Sequence, residues 1–340
     1  MTGSQTAANP AGLVDGFGRV HRDLRISLTD KCSLRCTYCM PEAGVPWLAK
    51  QSLLTPDEIE RLVRVATGEG VETVRLTGGE PLISPNLIEI VRRVAAIEGP
   101  SGPIGVAMTT NGIRLPEFIP GLEEAGLNRL NISIDTLDPD RFRELTRRDR
   151  LIDVLAGIEA ARRSTLRPLK LNAVVMRGVN DDEIVDLVEF AIEHDAEMRF
   201  IEHMPLDIGH TWDRGEMVPR EEILAALRKR FRLEPLPDRG GAPAELFEID
   251  GGPAKVGVIA SVSAPFCGSC DRLRLTADGQ LRNCLFAREE LDLRTALRGG
   301  ASDEAIRDIF RASVSSKRAG HGIDDPGFVQ PERGMNAIGG

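Results

Sequence analysis

With 340 residues, 41% of them hydrophobic, the chain is long enough for one large α/β domain plus an appendage, and global disorder is excluded. A formal net charge of -9 and 4% aromatics, with one Tyr and two Trp, argue against a duplex-binding footprint and against stacking platforms for single strands. No nucleic-acid partner is expected, whereas a small anion held by a local group of arginines suits this balance.

The segment Met1 to Gly16 is small and polar, without the basic start and apolar run of a secretory signal. No stretch approaches the roughly 20 apolar residues of a membrane span, so no membrane partner and a cytoplasmic location are expected. Residues 1–22 read as a mobile leader. Leu24 to Thr29 is then a short alternating strand, and Thr55 to Thr67 a helix with Ile59, Leu62, Val63 and Ala66 on one face. Thr55-Pro56 supplies its cap and first-turn proline. Further strands are read at Glu72–Thr77, Ile104–Met108, Arg129–Ile134, Lys170–Val175 and Met198–Glu202. Helices alternate with them at Asn86–Ala96, Pro116–Ala125, Pro139–Leu145, Leu151–Ser164, Asp181–Glu193 and Arg220–Phe231.

Six β-then-α repeats within residues 23–235 make a parallel sheet with crossover helices. In such folds chemistry sits beyond the carboxyl ends of the strands. The polar and glycine-rich words fall there: Asp30 to Cys39, Thr77 to Pro81, Thr109 to Gly112, Ser133 to Asp135, and His203 to Pro205. The repeat breaks at Pro235, Pro237 and the run Asp238-Arg239-Gly240-Gly241, which reads as a turn or linker. Residues 236–320 then carry two hairpins, one around Gly251-Gly252 and one turning at Asp278-Gly279, followed by helical segments at Leu291–Leu297 and Asp303–Ser315. Residues 321–340 form an extended Gly-rich tail, either loose or held down by the body.

The six cysteines fall into two sets of three, Cys32, Cys36, Cys39 and Cys267, Cys270, Cys284. With no export signal, this grouping indicates metal or redox use rather than disulfides. Soft thiolates select iron–sulfur or zinc. A structural zinc site near the first set lacks a fourth ligand, since the first His after Cys39 is His194. A four-iron cluster on three cysteines leaves one iron open to an outside ligand. At the second set, a zinc site completed by His210 or His321 stays open as the other reading. Arg272 and Arg274, two apart on one strand, share a face and suit a polyanion such as a triphosphate.

The spacing Cys32-x3-Cys36-x2-Cys39, with Tyr38 before the last cysteine, resembles the signature of the radical S-adenosylmethionine superfamily. Gly78-Gly79-Glu80-Pro81 resembles the superfamily segment that meets the methionine amino group; the glycines would permit close approach and Glu80 would offer acceptors to an ammonium. Leu24-Arg25-Ile26-Ser27, Thr109-Thr110-Asn111-Gly112, Asn131 to Asp135, the Cys267 to Cys284 block and the terminal Gly339-Gly340 resemble, more narrowly, the GTP 3′,8-cyclase family of molybdenum cofactor biosynthesis.

That resemblance implies an incomplete (β/α)6 TIM-type barrel whose mouth is closed by a C-terminal iron–sulfur region. It implies two [4Fe–4S] clusters, one on each cysteine set, and S-adenosyl-L-methionine as cofactor. The implied reaction is a lyase one. A 5′-deoxyadenosyl radical removes the ribose 3′ hydrogen of GTP, and the sugar radical attacks guanine C8. The cyclised dihydro-GTP passes to a cyclic pyranopterin monophosphate synthase, and a reducing electron donor and a homodimer are further implied partners. Carried over by position, Tyr38, Gly79, Ser133 and Met204 match S-adenosylmethionine contacts. Arg25, Arg75, Thr109, Lys170, Arg272 and Arg274 match GTP contacts. Arg25, Gly339 and Gly340 match residues needed for activity, the tail entering the site with its carboxylate offered to Arg25 or a neighbour. The other reading in this superfamily is a peptide-modifying enzyme with an auxiliary cluster.

Overall fold

The computed structural model describes residues 12–237 and 239–339; residues 1–11 of the expected leader, Asp238 of the expected linker, and Gly340 lie outside them. The first repeat is β1 (Asp23–Ser27), α1 (Pro56–Gly68), β2 (Thr73–Thr77) and α2 (Leu87–Ala95). Thr55 caps α1 as its sequence suggests: its hydroxyl accepts from Glu58 N at 3.2 Å while the Glu58 carboxylate accepts from Thr55 N at 2.8 Å. The small hairpin β3 (Glu98–Gly99) and β4 (Gly102–Pro103) precedes β5 (Gly105–Thr110) and α3 (Leu115–Glu124). Next come β6 (Arg129–Ser133), α4 (Pro139–Thr146), α5 (Leu151–Arg163), β7 (Leu169–Val175), α6 (Ile184–Glu193), β8 (Ala196–Glu202) and α7 (Arg220–Arg228).

The strands sort their side chains by a period of two. Leu24, Ile26, Val74, Leu76, Val106, Met108, Leu130 and Ile132 are buried on the outer face, in the core that holds the helices. Their neighbours on the inner face are polar or charged: Arg25, Arg75, Thr109, Asn131 and Lys170 all line a central lumen. The parallel sheet expected from the repeats is present, with the partial-barrel strand order that the resemblance implies.

The C-terminal part consists of β9 (Leu233–Pro235), β10 (Glu245–Ile249), β11 (Lys255–Ile259), β12 (Arg272–Leu275), β13 (Gln280–Arg282), β14 (Leu291–Asp292), α8 (Leu293–Arg298), α9 (Asp303–Ser315) and the single turn α10 (Met335–Ile338). Its hairpins do not form a separate layer. They extend both free edges of the parallel sheet, giving one sheet of order β14-β13-β12-β1-β2-β5-β6-β7-β8-β11-β10-β9. β12 runs parallel to β1 with Arg274 opposite Arg25, and β11 runs parallel to β8 with Val258 opposite Phe200. Six expected parallel strands thus become eight, and β11 and β12 are not paired with each other, so the barrel stays open there.

Residues 12–22 depart from the expected mobile leader. Val14 bridges to Val20, Leu13 is buried, and its backbone donates to Glu69 O at 3.1 Å. An apolar side chain and a buried Asp15–Arg19–His21 group give this stretch enough to fold against. The tail is likewise held. Ile338 packs in a second apolar cluster with Leu206, Met217, Val262, Phe286 and Ile323. No helix among the described residues is long and apolar enough to cross a membrane.

Candidate functional site

The lumen is a cavity of about 460 Å³ that runs along the inner face of the parallel strands to their carboxyl ends. Its lining residues run from Asp23 to Asn336. Cys32, Cys36 and Cys39 line it together with Tyr38, Ser133 and Met204, and so do Arg25, Arg75, Thr109, Lys170, Arg272 and Arg274. A smaller cavity of about 60 Å³ is lined by Cys267, Cys270 and Cys284. Met204, Ser261, Phe266, Arg272 and Arg274 face both, so the two arginines on β12 stand between the cysteine sets.

The Cys32 loop is gripped by the glycine word after β2. Gly79 N donates to Thr29 O and Glu80 N to Lys31 O, both at 2.8 Å. A Cβ on Gly79 would lie 2.2 Å from Lys31 O, so only glycine allows this approach. Gly78, not Gly79, faces the cavity. The Glu80 carboxylate is also turned away from it. Its oxygens accept from Leu82 N (2.9 Å), the Thr110 hydroxyl (2.7 Å) and Asn111 N (2.7 Å), and burial pushes it up to about 7. The acceptors expected for an ammonium are therefore committed to holding two loops together.

Burial holds the first three thiols high, Cys32 at about 11 and Cys39 at about 12, with Cys36 well above the ordinary range. Donors already point at them: Leu34 N lies 3.4 Å and Asn111 Nδ2 3.8 Å from Cys32 Sγ. Tyr38 donates to Asp135 at 2.7 Å, and Asp135 also accepts from Val174 N at 2.9 Å, which fixes the phenol at the cavity wall. At the second set, Lys317 Nζ lies 3.7 Å from Cys270 Sγ. Burial would raise the Cys270 thiol, but the nearby Arg272 and Lys317 charges outweigh it and lower it. His321, one of the two candidate zinc ligands there, has both ring nitrogens engaged, by Ser261 O at 2.9 Å and Ile323 N at 3.1 Å. His210 does not line either cavity. Among the described residues no three His, Cys, Asp or Glu side chains converge on a single ion position.

Seven cations line the lumen against three carboxylates: Arg25, Arg75, Arg129, Lys170, Arg199, Arg272 and Arg274 against Asp23, Asp135 and Asp271. Burial, then crowding by neighbouring arginines, lowers Arg25 and Arg274 and brings Arg75 to about 9. Burial and the Arg199 charge bring Lys170 to about 8. The Nε atoms of Arg25, Arg75 and Arg272 are buried without a hydrogen-bond partner. Buried cations with unfilled donors are costly, and an anionic ligand would fill them. Arg272 is held by Gly241 O at 3.0 Å and by the Phe266 ring, 4.6 Å from its centroid.

The tail enters the same lumen. Asn336 donates to Asp30 O at 3.0 Å, and the Gly339 carbonyl accepts from Arg274. Gly339 has φ 69° and packs between Ser27 and Thr77 at the ends of β1 and β2. Arg274, the β12 neighbour of Arg25, is thus the cation that meets the Gly339 carbonyl; the terminal carboxylate, on Gly340, lies outside the described residues.

Two family profiles cover this arrangement: the radical SAM superfamily matches residues 26–191, and the Molybdenum Cofactor Synthesis C family matches residues 196–323. The chain is 58% identical to a GTP 3′,8-cyclase of Streptomyces coelicolor, over 96% of each chain. It is 54% identical to a GTP 3′,8-cyclase of Mycobacterium sp., covering 96% of this chain and 93% of that one. The chain belongs to the GTP 3′,8-cyclase family. A crystal structure of Streptococcus suis SuiB bound to precursor peptide SuiA shares the fold, with a TM-score of 0.61 at 15% identity over 89% of this chain and 69% of that one.

The two cavities bring together the cysteines and cations that the sequence marks, and the lumen wall adds residues that it does not. Arg129 and Arg199 face the lumen beside the expected cations, as do Asn131 and Asn172. Strict alternation on β6, β7 and β8 carries the signal, because each sits an even number of residues from a residue on the inner face. Met335 and Asn336 reach the lumen from the tail, and nothing in their local pattern marks them.

Proposed function

We propose that this chain carries out the radical cyclisation of GTP to 3′,8-cyclo-7,8-dihydro-GTP, the first step of molybdopterin biosynthesis. The observation that carries this reading is a lumen of buried, under-paired cations lying between two separate cysteine triplets, in a chain 58% identical to a GTP 3′,8-cyclase. The donor sets fit the two clusters. Each triplet lines one cavity with all three cysteines free, and N–H donors already aim at a sulfur in each. Cys32, Cys36 and Cys39 would hold the first [4Fe–4S] cluster, and Cys267, Cys270 and Cys284 the second.

With S-adenosylmethionine bound, the first cluster would supply a 5′-deoxyadenosyl radical. The chain's own residues do the rest by placement. Tyr38, Ser133 and Met204 would border the cofactor, with Gly79 acting through the loop it permits rather than by contact. Arg25, Arg75, Lys170, Arg272 and Arg274 would neutralise the triphosphate, and Thr109, 3.5 Å from an Arg75 nitrogen, would orient that arginine and the ribose. Gly339 would narrow the remaining opening and keep water from a radical intermediate, and Gly340, outside the described residues, would be needed with it for activity. The C-terminal hairpins would close the mouth. A homodimer, a reducing electron donor and product transfer to a cyclic pyranopterin monophosphate synthase complete the reading.

The test is anaerobic reconstitution with iron and sulfide, followed by S-adenosylmethionine, a strong reductant and each nucleoside triphosphate in turn. GTP alone should give a cyclised nucleotide together with 5′-deoxyadenosine. Turnover of a small peptide, or no GTP-dependent product, would sink it.

A further inference from the structure

A chain of buried polar groups outside both cavities leads from the N-terminal segment to the second cysteine triplet. Asp15 accepts from Arg19 Nε at 2.6 Å and from His21 Nε2 at 3.0 Å, and the Asp15 and His21 side chains are fully buried. Lys317, just past the end of α9, is buried too. Its Nζ lies 3.4 Å from His21 Nδ1, 2.9 Å from Arg272 O and 3.7 Å from Cys270 Sγ. An ammonium only donates and a carboxylate only accepts, so the imidazole between them carries its proton on Nε2 and receives Lys317 on Nδ1.

The three donors of Lys317 are thereby matched to three acceptors, one of them a sulfur. Among the described residues no carboxylate touches it directly, since Asp15 is reached through His21. A buried cation in this position lacks a close anion, and a thiolate or cluster sulfur is the one within reach. Arg19 fixes the other side of the triplet. Its guanidinium donates to Cys267 O at 2.6 Å, Ala319 O at 2.9 Å and Arg318 O at 2.6 Å, tying the first cysteine of the set to the residues that follow Lys317.

We propose that Lys317 is a positioning residue for the second iron–sulfur cluster, donating to the Cys270 sulfur and raising the cluster's reduction potential, with Asp15, Arg19 and His21 as the frame that holds it. The inference rests on the reading that Cys267, Cys270 and Cys284 carry a cluster. A positive charge beside a cluster sulfur favours the reduced, more negative state, so its removal lowers the potential. The expected consequence belongs to the protein and does not depend on turnover.

The experiment uses the full chain with Cys32, Cys36 and Cys39 changed to Ala, so that only the second cluster is seen. This parent should bind about four irons. Dye-mediated titration with dithionite, followed by electron paramagnetic resonance, then gives its one-electron potential. Lys317→Met should lower the reduction equilibrium constant at least tenfold, a shift of about 59 mV to the negative side. Lys317→Arg, which keeps the charge, should recover at least half of that shift. A Met variant that holds its iron with the parent's potential overturns the inference and leaves the cluster reading intact. Should the Met variant take up no iron, retention by the Arg variant supports the inference and equal loss in both overturns it. A parent without iron removes the cluster reading and this inference together.

Discussion

The Arg274 guanidinium on β12 donates to the carbonyl oxygen of Gly339, one residue from the end of the chain. Arg274 sits opposite Arg25 in the parallel register of β12 and β1, so this contact seats the tail beside that strand pair. The same guanidinium lines both cavities. Occupancy of the tail and occupancy of the lumen are therefore linked through one side chain.

Gly339→Ala tests the tail seat. The added Cβ would lie 2.7 Å from Thr77 Cγ2 and 2.9 Å from Ser27 Oγ, at a φ of 69° that costs an L-residue roughly 1–2 kcal/mol by itself. GTP turnover should fall about tenfold or more, each 1.36 kcal/mol being a factor of ten. Iron content should stay at the parent level. An unchanged rate in the reconstituted variant would show that the tail's seat is dispensable.

Gly79→Ala should act on the metal and not on the nucleotide. Its Cβ meets Lys31 O at 2.2 Å and Asp30 O at 2.7 Å, main-chain atoms that cannot swing aside. The Cys32 loop must shift, and iron per chain should drop from about eight to about four. Iron and sulfide assays beside a far-UV spectrum decide it; full iron with a native spectrum would refute the clamp.

Lys170 gives the site a pH signature. In the ligand-free lumen its ammonium is held at about 8 by burial and by Arg199, so above that pH a polyanion loses one of its counter-charges. Triphosphate affinity should decline as pH rises through 8, by up to about tenfold per unit. Lys170→Met should flatten that slope. The same depression weakens the empty protein below pH 8, and the penalty fades between 8 and the ordinary lysine value of 10.5. Titration calorimetry with a non-reactive triphosphate measures the first effect, and a slope that survives the Met change would assign it elsewhere.

The tail's second anchor is Arg333, whose two terminal nitrogens donate to Asp278 at 3.0 and 2.9 Å on the Asp278-Gly279 turn. Arg333→Ala removes a bidentate pair worth about 1.5–3 kcal/mol in charged hydrogen bonds. Limited proteolysis should cut the segment between α9 and α10 roughly tenfold faster. Equal cleavage rates in the variant and the parent would mean that Gly339 and Ile338 suffice to hold the tail.

Local signals made much of this molecule readable. The β/α repeats follow from period-two alternation and from caps such as Thr55-Pro56-Asp57-Glu58, which act within a few residues. Spacing exposed the cysteine sets, and alternation put Arg272 and Arg274 on one face. What escaped depends on distant partners. The parallel pairing of β12 with β1 joins residues about 250 positions apart, and a hairpin pattern says nothing of the strand lying beside it. The resemblance of Gly78-Gly79-Glu80-Pro81 makes Glu80 a ligand group, but Thr110 and Asn111, brought in by β5 and the turn after it, claim its oxygens. Likewise Leu13, Asp15 and His21 become a structured strap only against surfaces supplied by α1 and α9.

The placement of β12 against β1 has a consequence for biosynthesis. On the ribosome β1 emerges early, and its outer edge stays unpaired until Arg272–Leu275 is translated. At about 5–20 residues per second that interval lasts on the order of tens of seconds. An unpaired edge is an invitation to join another chain. The nascent chain therefore carries an open edge on β1 through most of its synthesis, and the side of the barrel that Arg272–Leu275 will seal is the last of its parallel sheet to close.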